Sequence, residues 1–401
     1  MRFVAWIVKI VFKIFTLFPQ QNKVVFLSRQ SARPFDFLLL ETYLQILYPQ
    51  VKFVWACLPK SGRFGLRTMV AQLWHAATAS VCFVDGYVPA ISIPASMHRA
   101  FCVQVWHAPG AIKKFGYQSL DTPDGRSSRA ADVLGMHRGY DCIVAGFPGA
   151  RACYAEAFNY PEDKIVACGL PRMDYLTSRS YEHLRTRYVH RVERRLKQQG
   201  YREDATSPVV LYAPTFRRNP QDPQWLERAV RDLAQALPSD ARLVVSGHPI
   251  EAQAPHDKGV VSEGCSVYSL AGIGTIHALL LADYVVTDYS TVAFEAGLLH
   301  KRVLFFTPDI DEYRVSPGLN IDPLAELPSI TYTTADAVAR AIEDDVAHGT
   351  YDMTSFDAFM EDYGRSEMEP SRSLEKIRSM ISPYFVHESQ DSYSKELNHG
   401  K

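Results

Sequence analysis

The chain has almost no imbalance of charge. Its 401 residues carry 43 Lys and Arg against 44 Asp and Glu, a formal net charge of -1 with a pI near 6.9. That excludes a global pull toward nucleic acid or an acidic surface, so charge must act locally. Metal-type cysteine spacing is missing too. Cys57, Cys82, Cys102, Cys142, Cys153, Cys168 and Cys265 are scattered, with no CxxC and no Cys/His ligand pattern. This leaves no structural zinc site and reads as buried free thiols in a reducing cytosol. No internal repeat and no low-complexity tract is present. What remains, at 47% hydrophobic and 22% charged residues, is an ordinary globular composition long enough for two domains.

One segment departs from this average. The first eighteen residues, MRFVAWIVKIVFKIFTLF, form an apolar stretch interrupted by Lys9 and Lys13, with no small-residue cleavage site after it. As a helix it covers about 26 Å, marginal for a membrane span. Arg2, Lys9, Lys13, Thr16 and Gln20 fall on one helical face, with Phe3, Val4, Ile7, Ile10, Val11, Ile14 and Phe18 mostly opposite. The pattern suits a helix lying in a membrane interface. A helix buried on its own domain and an uncleaved signal anchor are the alternatives.

After Pro19 apolar, β-rich runs alternate with helical patterns. Strands are expected at 23–28, 51–58, 80–85, 101–107, 141–145 and 164–169, with helices near 36–47, 63–78 and 147–158. Residues 173–204 turn polar and arginine-rich and read as a helix followed by a domain linker, the charges being a solvated face rather than a nucleic-acid site. A second alternation follows, with strands at 208–214, 242–248, 283–287, 302–307 and 329–333 and helices near 223–236, 266–281, 291–299 and 335–345. The fold class is therefore α/β, with two Rossmann-like doubly wound domains facing a cleft. The expected division is an amphipathic helix at 1–20, a first Rossmann-like domain at 21–204, a second at 205–370, and a C-terminal helix with a polar tail at 371–401.

Polar residues that a core does not need collect at the carboxyl ends of these strands. They are Trp106-His107 with Lys113 and Lys114; Leu170-Pro171-Arg172 with Asp174; Pro214-Thr215-Phe216-Arg217; Gly247-His248-Pro249; and Asp288-Tyr289-Ser290-Thr291 with Glu295 one helical turn on. Carboxyl ends of strands are where open α/β sheets bind ligands, and a helix start presents unpaired N–H groups suited to phosphate. An ordinary capped strand-to-helix turn is the plain alternative at Asp288. Asp309-Ile310-Asp311 imitates a metal-binding DxD, but no further carboxylates gather near it in the sequence, and no metal or other cofactor is expected.

In this order WHAPGAIKKFGY, CGLPRMDYL, LYAPTFRRN, SGHP and DYVVTDYSTVAFEAGLLHKRVLFFTPDIDEY resemble the CDP-glycerol:poly(glycerophosphate) glycerophosphotransferase family of teichoic acid synthesis, over roughly residues 20 to 365. The resemblance implies a GT-B fold bound peripherally to the cytoplasmic face of the bacterial membrane. It implies transfer of glycerol phosphate, or a related alditol phosphate such as that of CDP-ribitol, from the CDP donor to a polyprenol-linked or glycolipid acceptor, with release of CMP. On this match His107 is the base toward the acceptor hydroxyl and His248, followed by Pro249, faces the donor pyrophosphate. Asp288, Ser290 and Thr291 wrap the donor phosphates, and Glu295 is the acidic residue of the next helix. Thr215 joins the donor-binding residues. By chemistry alone, Arg172 and Arg217 are candidate cations for the phosphoryl charge, although Arg172 and Asp174 could equally pair with each other. Ala108-Pro109-Gly110 stands where the family has Gly-Thr-Pro. A nucleotide-sugar glycosyltransferase of the same fold and an inactive membrane scaffold are the competing readings.

Overall fold

The computed structural model describes residues 1–59, 64–202, 207–215, 217, 223–246, 264–270, 272–368 and 372–385. Twelve strands are present among them. β1 (Lys23–Leu27), β2 (Lys52–Ala56), β3 (Val81–Val84), β4 (Phe101–Val105), β5 (Cys142–Ala145) and β6 (Ile165–Ala167) form one six-stranded sheet in the order β2-β1-β3-β4-β5-β6. β7 (Val209–Tyr212), β8 (Arg242–Val245), β9 (Ser266–Ser269), β10 (Tyr284–Thr287), β11 (Arg302–Phe306) and β12 (Thr331–Tyr332) form a second, ordered β12-β11-β10-β7-β8-β9. The registers of β1 with β2 and β3, of β3 with β4, and of every neighbouring pair in the second sheet are parallel.

Near-continuous Val, Leu and Phe runs suit strands buried on both faces, and β1, β3, β5, β7, β8 and β10 are buried at every position. Each order reverses once. In the first sheet the reversal lies between β1 and β3, and in the second between β7 and β10. At such a point the crossovers on either side run to opposite faces, leaving a crevice above the carboxyl ends.

The expected strands all appear. A thirteen-residue helix Phe35–Leu47 and the helices Leu66–Ala77, Arg151–Phe158, Trp225–Ala236, Val292–Leu298, Ala335–His348 and Ser373–Ile381 match the helical patterns. The stretch 266–281 is corrected. It opens as edge strand β9, Ser-Val-Tyr-Ser, and among its described residues only Thr275–Ala278 is α-helical. Four residues with serine at both ends carry no apolar run from which a strand could be read.

The chain packs as two compact units, Met1–His107 with Ala130–Ile143 and Leu374–Lys401, and Ala108–Arg129 with Val144–Ser373. The compact units part after His107, after Arg129, within β5 and after Ser373.

In the first unit Phe26 is fully buried, its ring 4.8 Å from Trp55, 5.1 Å from Phe37 and 5.4 Å from Phe83. In the second, Val210, Leu243, Val286 and Leu304 pack with Leu233, Val338 and Ile342 of the covering helices. The N-terminal helix Arg2–Phe15 has three faces. Ala5, Val8 and Phe12 are buried where it packs on Leu66–Ala77; Arg2, Lys9 and Lys13 are exposed on a second; Phe3, Trp6, Ile7, Ile10 and Ile14 are exposed on a third. Phe15 and Phe18 add edge-to-face contacts with Trp74. Among the described residues no helix is long and apolar enough to cross a membrane.

Removing the ring at the centre of the first sheet leaves a cavity that rigid neighbours cannot fill. Phe26→Ala is expected to cost about 3–5 kcal/mol, read as a lowered urea midpoint with an unchanged slope.

Candidate functional site

The carboxyl edge of the second sheet is built around Asp288. The β-branched run of β10 ends at Thr287, whose hydroxyl donates to the Ala213 carbonyl, and the next residue turns its carboxylate inward, 1% exposed. Asp288 Oδ1 accepts from the Thr215 N–H at 2.7 Å and from the Tyr289 N–H at 2.6 Å, while Oδ2 accepts from Arg217 Nη1 at 2.7 Å. Thr215 follows β7, so this single carboxylate ties together the two strands on either side of the reversal. A buried carboxylate in such a place needs a full set of donors, and Asp288 has one.

Arg217 is equally committed. Nε and Nη2 both donate to Asp309 Oδ2, at 2.9 and 2.7 Å, and Nη1 also reaches the Thr215 carbonyl at 2.9 Å. Its guanidinium lies 3.9 Å from the Trp225 ring centroid. Burial works against the charge, but Asp288 and Asp309 outweigh it and raise the guanidinium pKa. Asp309 Oδ1 accepts from the Tyr289 hydroxyl, and the Tyr289 ring stacks on Tyr313 at 3.7 Å. The apparent DxD is therefore a structural carboxylate, Asp309, beside an exposed Asp311 that pairs with Arg314. No group of metal-type ligands occurs among the described residues.

Ser290 and Thr291 come next, both partly exposed, and Ser290 Oγ accepts from the Val292 N–H at 3.4 Å. Thr291 is the N-cap of Val292–Leu298 but makes no side-chain capping bond. Glu295 is buried in that helix and pairs with Arg172 Nη1 at 3.1 Å. Arg172 sits at the start of the helix Pro171–Thr177, and its neighbour Asp174 accepts instead from the Ser373 hydroxyl and N–H. Arg172 thus pairs with Glu295, and Asp174 with Ser373. The first of these pairs joins residues 123 apart, which no local spacing could show. The Ala108-Pro109-Gly110 loop packs against the helix Val292–Leu298. A Cβ on Gly110 would fall 2.5 Å from the Phe294 ring, and Tyr154 donates its hydroxyl hydrogen to the Ala108 carbonyl at 2.5 Å. Ser246, after β8, shares a short hydrogen bond with Thr275. His248 and Pro249 lie outside the described residues.

The first sheet has its own polar cluster at its reversal. Ser28 follows β1 and Asp85 follows β3. Ser28 Oγ donates to Asp85 Oδ2 at 2.7 Å, and Gln30 Nε2 donates to the same oxygen at 3.1 Å. Burial pushes the Asp85 carboxyl up to about 6, against these two donors, which favour the anion. His107, after β4, is exposed, and its Nδ1 lies 3.2 Å from the Asp85 carbonyl oxygen, with the Trp106 ring 4.1 Å away. A carbonyl only accepts, so in this bond Nδ1 carries the hydrogen and the neutral ring has its basic lone pair on Nε2. The sequence reading singled out His107 but not Ser28, Gln30 and Asp85 of the same polar cluster. The available signal was the one used for Asp288, an aspartate closing an apolar strand at its carboxyl end.

Two outcomes test these assignments. Asp288→Ala removes one of Arg217's two carboxylate partners and leaves the Thr215 and Tyr289 N–H groups without their acceptor, and is expected to lower stability by about 3 kcal/mol in denaturant unfolding. For Asp85 the folded pKa near 6 lies above the ordinary value near 4, so the stability that its protonated form contributes is present below about pH 4 and lost as the pH rises through 6. Asp85→Asn should therefore flatten the stability-pH curve relative to wild type across that window, by up to about 3 kcal/mol.

A family model, CDP-Glycerol:Poly(glycerophosphate) glycerophosphotransferase, matches residues 10–382. The chain is 27% identical over 386 residues to the teichoic acid poly(ribitol-phosphate) polymerase of Bacillus spizizenii, covering 93% of this chain and 58% of that protein. It is 28% identical over 323 residues to the teichoic acid ribitol-phosphate primase of the same organism, covering 79% of this chain and 78% of the primase. A solved variant of the wall teichoic acid polymerase TagF, soaked with CDPG, superposes with a TM-score of 0.71 at 19% identity, covering 95% of this chain and 94% of that one. The fold is thus the TagF-like GT-B fold. With a family model spanning most of its length, the chain belongs to the CDP-glycerol:poly(glycerophosphate) glycerophosphotransferase family.

Proposed function

We propose that this protein moves an alditol phosphate, from CDP-glycerol or CDP-ribitol, to a hydroxyl of a lipid-linked or glycan acceptor in the synthesis of teichoic acid or a related surface polymer. The observation that carries this reading is the reversal point of the second sheet. There Asp288 fixes Thr215 and Tyr289 in one buried network, and Ser290 and Thr291 stand immediately beyond it, partly exposed. Family membership supplies the donor class.

The reaction is an in-line displacement. The acceptor oxygen bonds to the β-phosphorus, the bond from that phosphorus to the bridging oxygen breaks, and CMP leaves with the electron pair. His107 takes the acceptor proton on Nε2, the nitrogen left basic by the Nδ1–H bond to the Asp85 carbonyl. His248 belongs to the donor side, where a protonated ring would oppose pyrophosphate charge. Arg172, held by Glu295, is the candidate cation for the phosphoryl oxygens. Arg217, bound to two carboxylates, acts by positioning Asp288 and Thr215.

The N-terminal helix supports attachment to the cytoplasmic face of the cell membrane. Its exposed row of Phe3, Trp6, Ile7, Ile10 and Ile14 lies beside Arg2, Lys9 and Lys13, apolar surface for the acyl boundary and cations for anionic headgroups. Deleting residues 1–18 would also strip Phe12 from the core, so point changes test this better. Trp6→Glu with Ile10→Glu should weaken binding to phosphatidylglycerol vesicles at least about a hundredfold with thermal unfolding unchanged, since two buried apolar side chains contribute roughly 3–6 kcal/mol. Unaltered vesicle binding would remove the interfacial role.

For the chemistry, nucleotide release is measured in parallel, CMP from CDP-glycerol or CDP-ribitol and UDP from UDP-sugars, with a membrane extract as acceptor. Turnover of one CDP-alditol is expected, reduced about a hundredfold or more in His107→Ala. Turnover confined to a UDP-sugar would make the protein a glycosyltransferase. CDP binding without turnover of any donor, under conditions where an authentic family member is active, would make it a scaffold.

A further inference from the structure

The arginine-rich stretch that the proposed reaction leaves unused is an ordered helix, Glu182–Lys197, with six cationic side chains and two carboxylates in a chain whose net charge is -1. It is firmly mounted. Arg185 Nη1 donates to the Tyr175 and Ser178 carbonyls at 2.7 and 2.6 Å; Tyr188 stacks flat on His277 at 3.7 Å; Val192 and Leu196 are buried. Just past its end, Gln199 exchanges two hydrogen bonds with the Ser269 backbone of β9. These anchors share one face. Arg187, Arg191 and Arg194, at i, i+4 and i+7, share the opposite one and are all exposed. Along the axis they stand about 6 and about 4.5 Å apart. Among the described residues none of the three forms an ion pair.

Structural economy does not account for the row. Cations in a last turn are favoured by the helix dipole, which explains Arg194, Arg195 and Lys197, but Arg187 and Arg191 stand too early to gain from it. Nor does the helix resemble a lipid-surface element. Those present apolar side chains next to their cations, and here Val192 and Leu196 are turned inward while none of the exposed large hydrophobic residues belongs to this helix. A rigid line of guanidinium forks on a helix that carries no exposed large hydrophobic residue fits a flexible chain of phosphates, each of which can accept a bidentate pair.

We propose that the Arg187-Arg191-Arg194 face is a docking rail for the polyanionic product, an alditol phosphate chain joined by phosphodiesters. The inference rests on the phosphotransfer reading for the identity of that chain. Each transfer adds one negative charge, so the rail would hold longer products more tightly and keep them attached between additions.

The test uses the full chain and fluorescent poly(glycerol phosphate) of defined length, with binding followed by anisotropy across a salt series. Arg187→Gln/Arg191→Gln/Arg194→Gln is expected to bind at least about tenfold more weakly at low salt, and the slope of log K against log salt to fall by about two, three contacts at roughly 0.7 each. The corresponding triple Lys variant should recover most of that slope. If the triple Gln protein does not fold, Arg191→Gln alone should lower the slope by about 0.7. Equal slopes in wild type and the Gln variants overturn the rail. Loss of binding to phosphatidylglycerol vesicles with polymer binding untouched also overturns it and assigns the face to lipid. A protein that releases no CMP from any CDP-alditol yet shows the arginine-dependent slope keeps the rail and loses the phosphotransfer reading. CMP release with arginine-independent polymer binding does the reverse.

Discussion

Where the strand order of a parallel sheet reverses, two neighbouring strands send their connections to opposite faces, and the backbone above them has no crossover to cover it. Both sheets meet this constraint with a buried aspartate. In the second sheet Asp288 follows β10 and captures the N–H of Thr215 beyond β7; in the first, Asp85 follows β3 and captures the hydroxyl of Ser28 beyond β1. The ligand crevice of an open α/β sheet and its least covered backbone are the same place, so the group that closes the fold also sets the floor of the site. Neither carboxylate is isolated. Asp288 is paired with Arg217, whereas Asp85 has only neutral donors, and burial pushes the Asp85 carboxyl up to about 6 against them.

The second network extends further because Arg217 serves two carboxylates at once. Asp309 follows β11, so β7, β10 and β11 are joined at their carboxyl ends by a chain of charge-assisted bonds, with Tyr289 closing the loop between Asp309 and the Asp288 turn. Such a network is costly to break at any member, because the remaining charges stay buried. It also explains why a candidate phosphate-binding cation is occupied elsewhere: the arginine holds the platform, and the partly exposed Ser290 and Thr291 follow directly from its position.

The strands and most helices were legible because apolar runs and helical periods leave a local record in the sequence. The strand-end motifs were legible for the same reason, since a polar cluster closing an apolar run stands out. The pairings were not. Arg217 finds Asp288 across 71 residues and Asp309 across 92, and Arg172 finds Glu295 across 123, distances over which no spacing rule operates. Arg172 and Asp174 look like natural partners by proximity, yet the helix Pro171–Thr177 sends them to different neighbours. Ser28 and Asp85 go unmarked because a serine after a strand reads as an ordinary turn until the strand order is known. Edge strand β9 reads as helix from the sequence because four residues bounded by serine hold too little pattern to decide.

The N-terminal helix has a thermodynamic consequence. An isolated amphipathic segment is a coil in water and must order itself as it adsorbs, which consumes part of the free energy gained by burying its apolar face. Here Ala5, Val8 and Phe12 already hold the helix against Leu66–Ala77, so Phe3, Trp6, Ile7, Ile10 and Ile14 are presented on a framework whose folding is settled in advance. Under the proposed membrane attachment, adsorption from that state would be closer to docking a rigid tool than to folding one, and the tilt of the first unit on a surface would follow from how this helix is seated on its neighbour rather than from the helix alone.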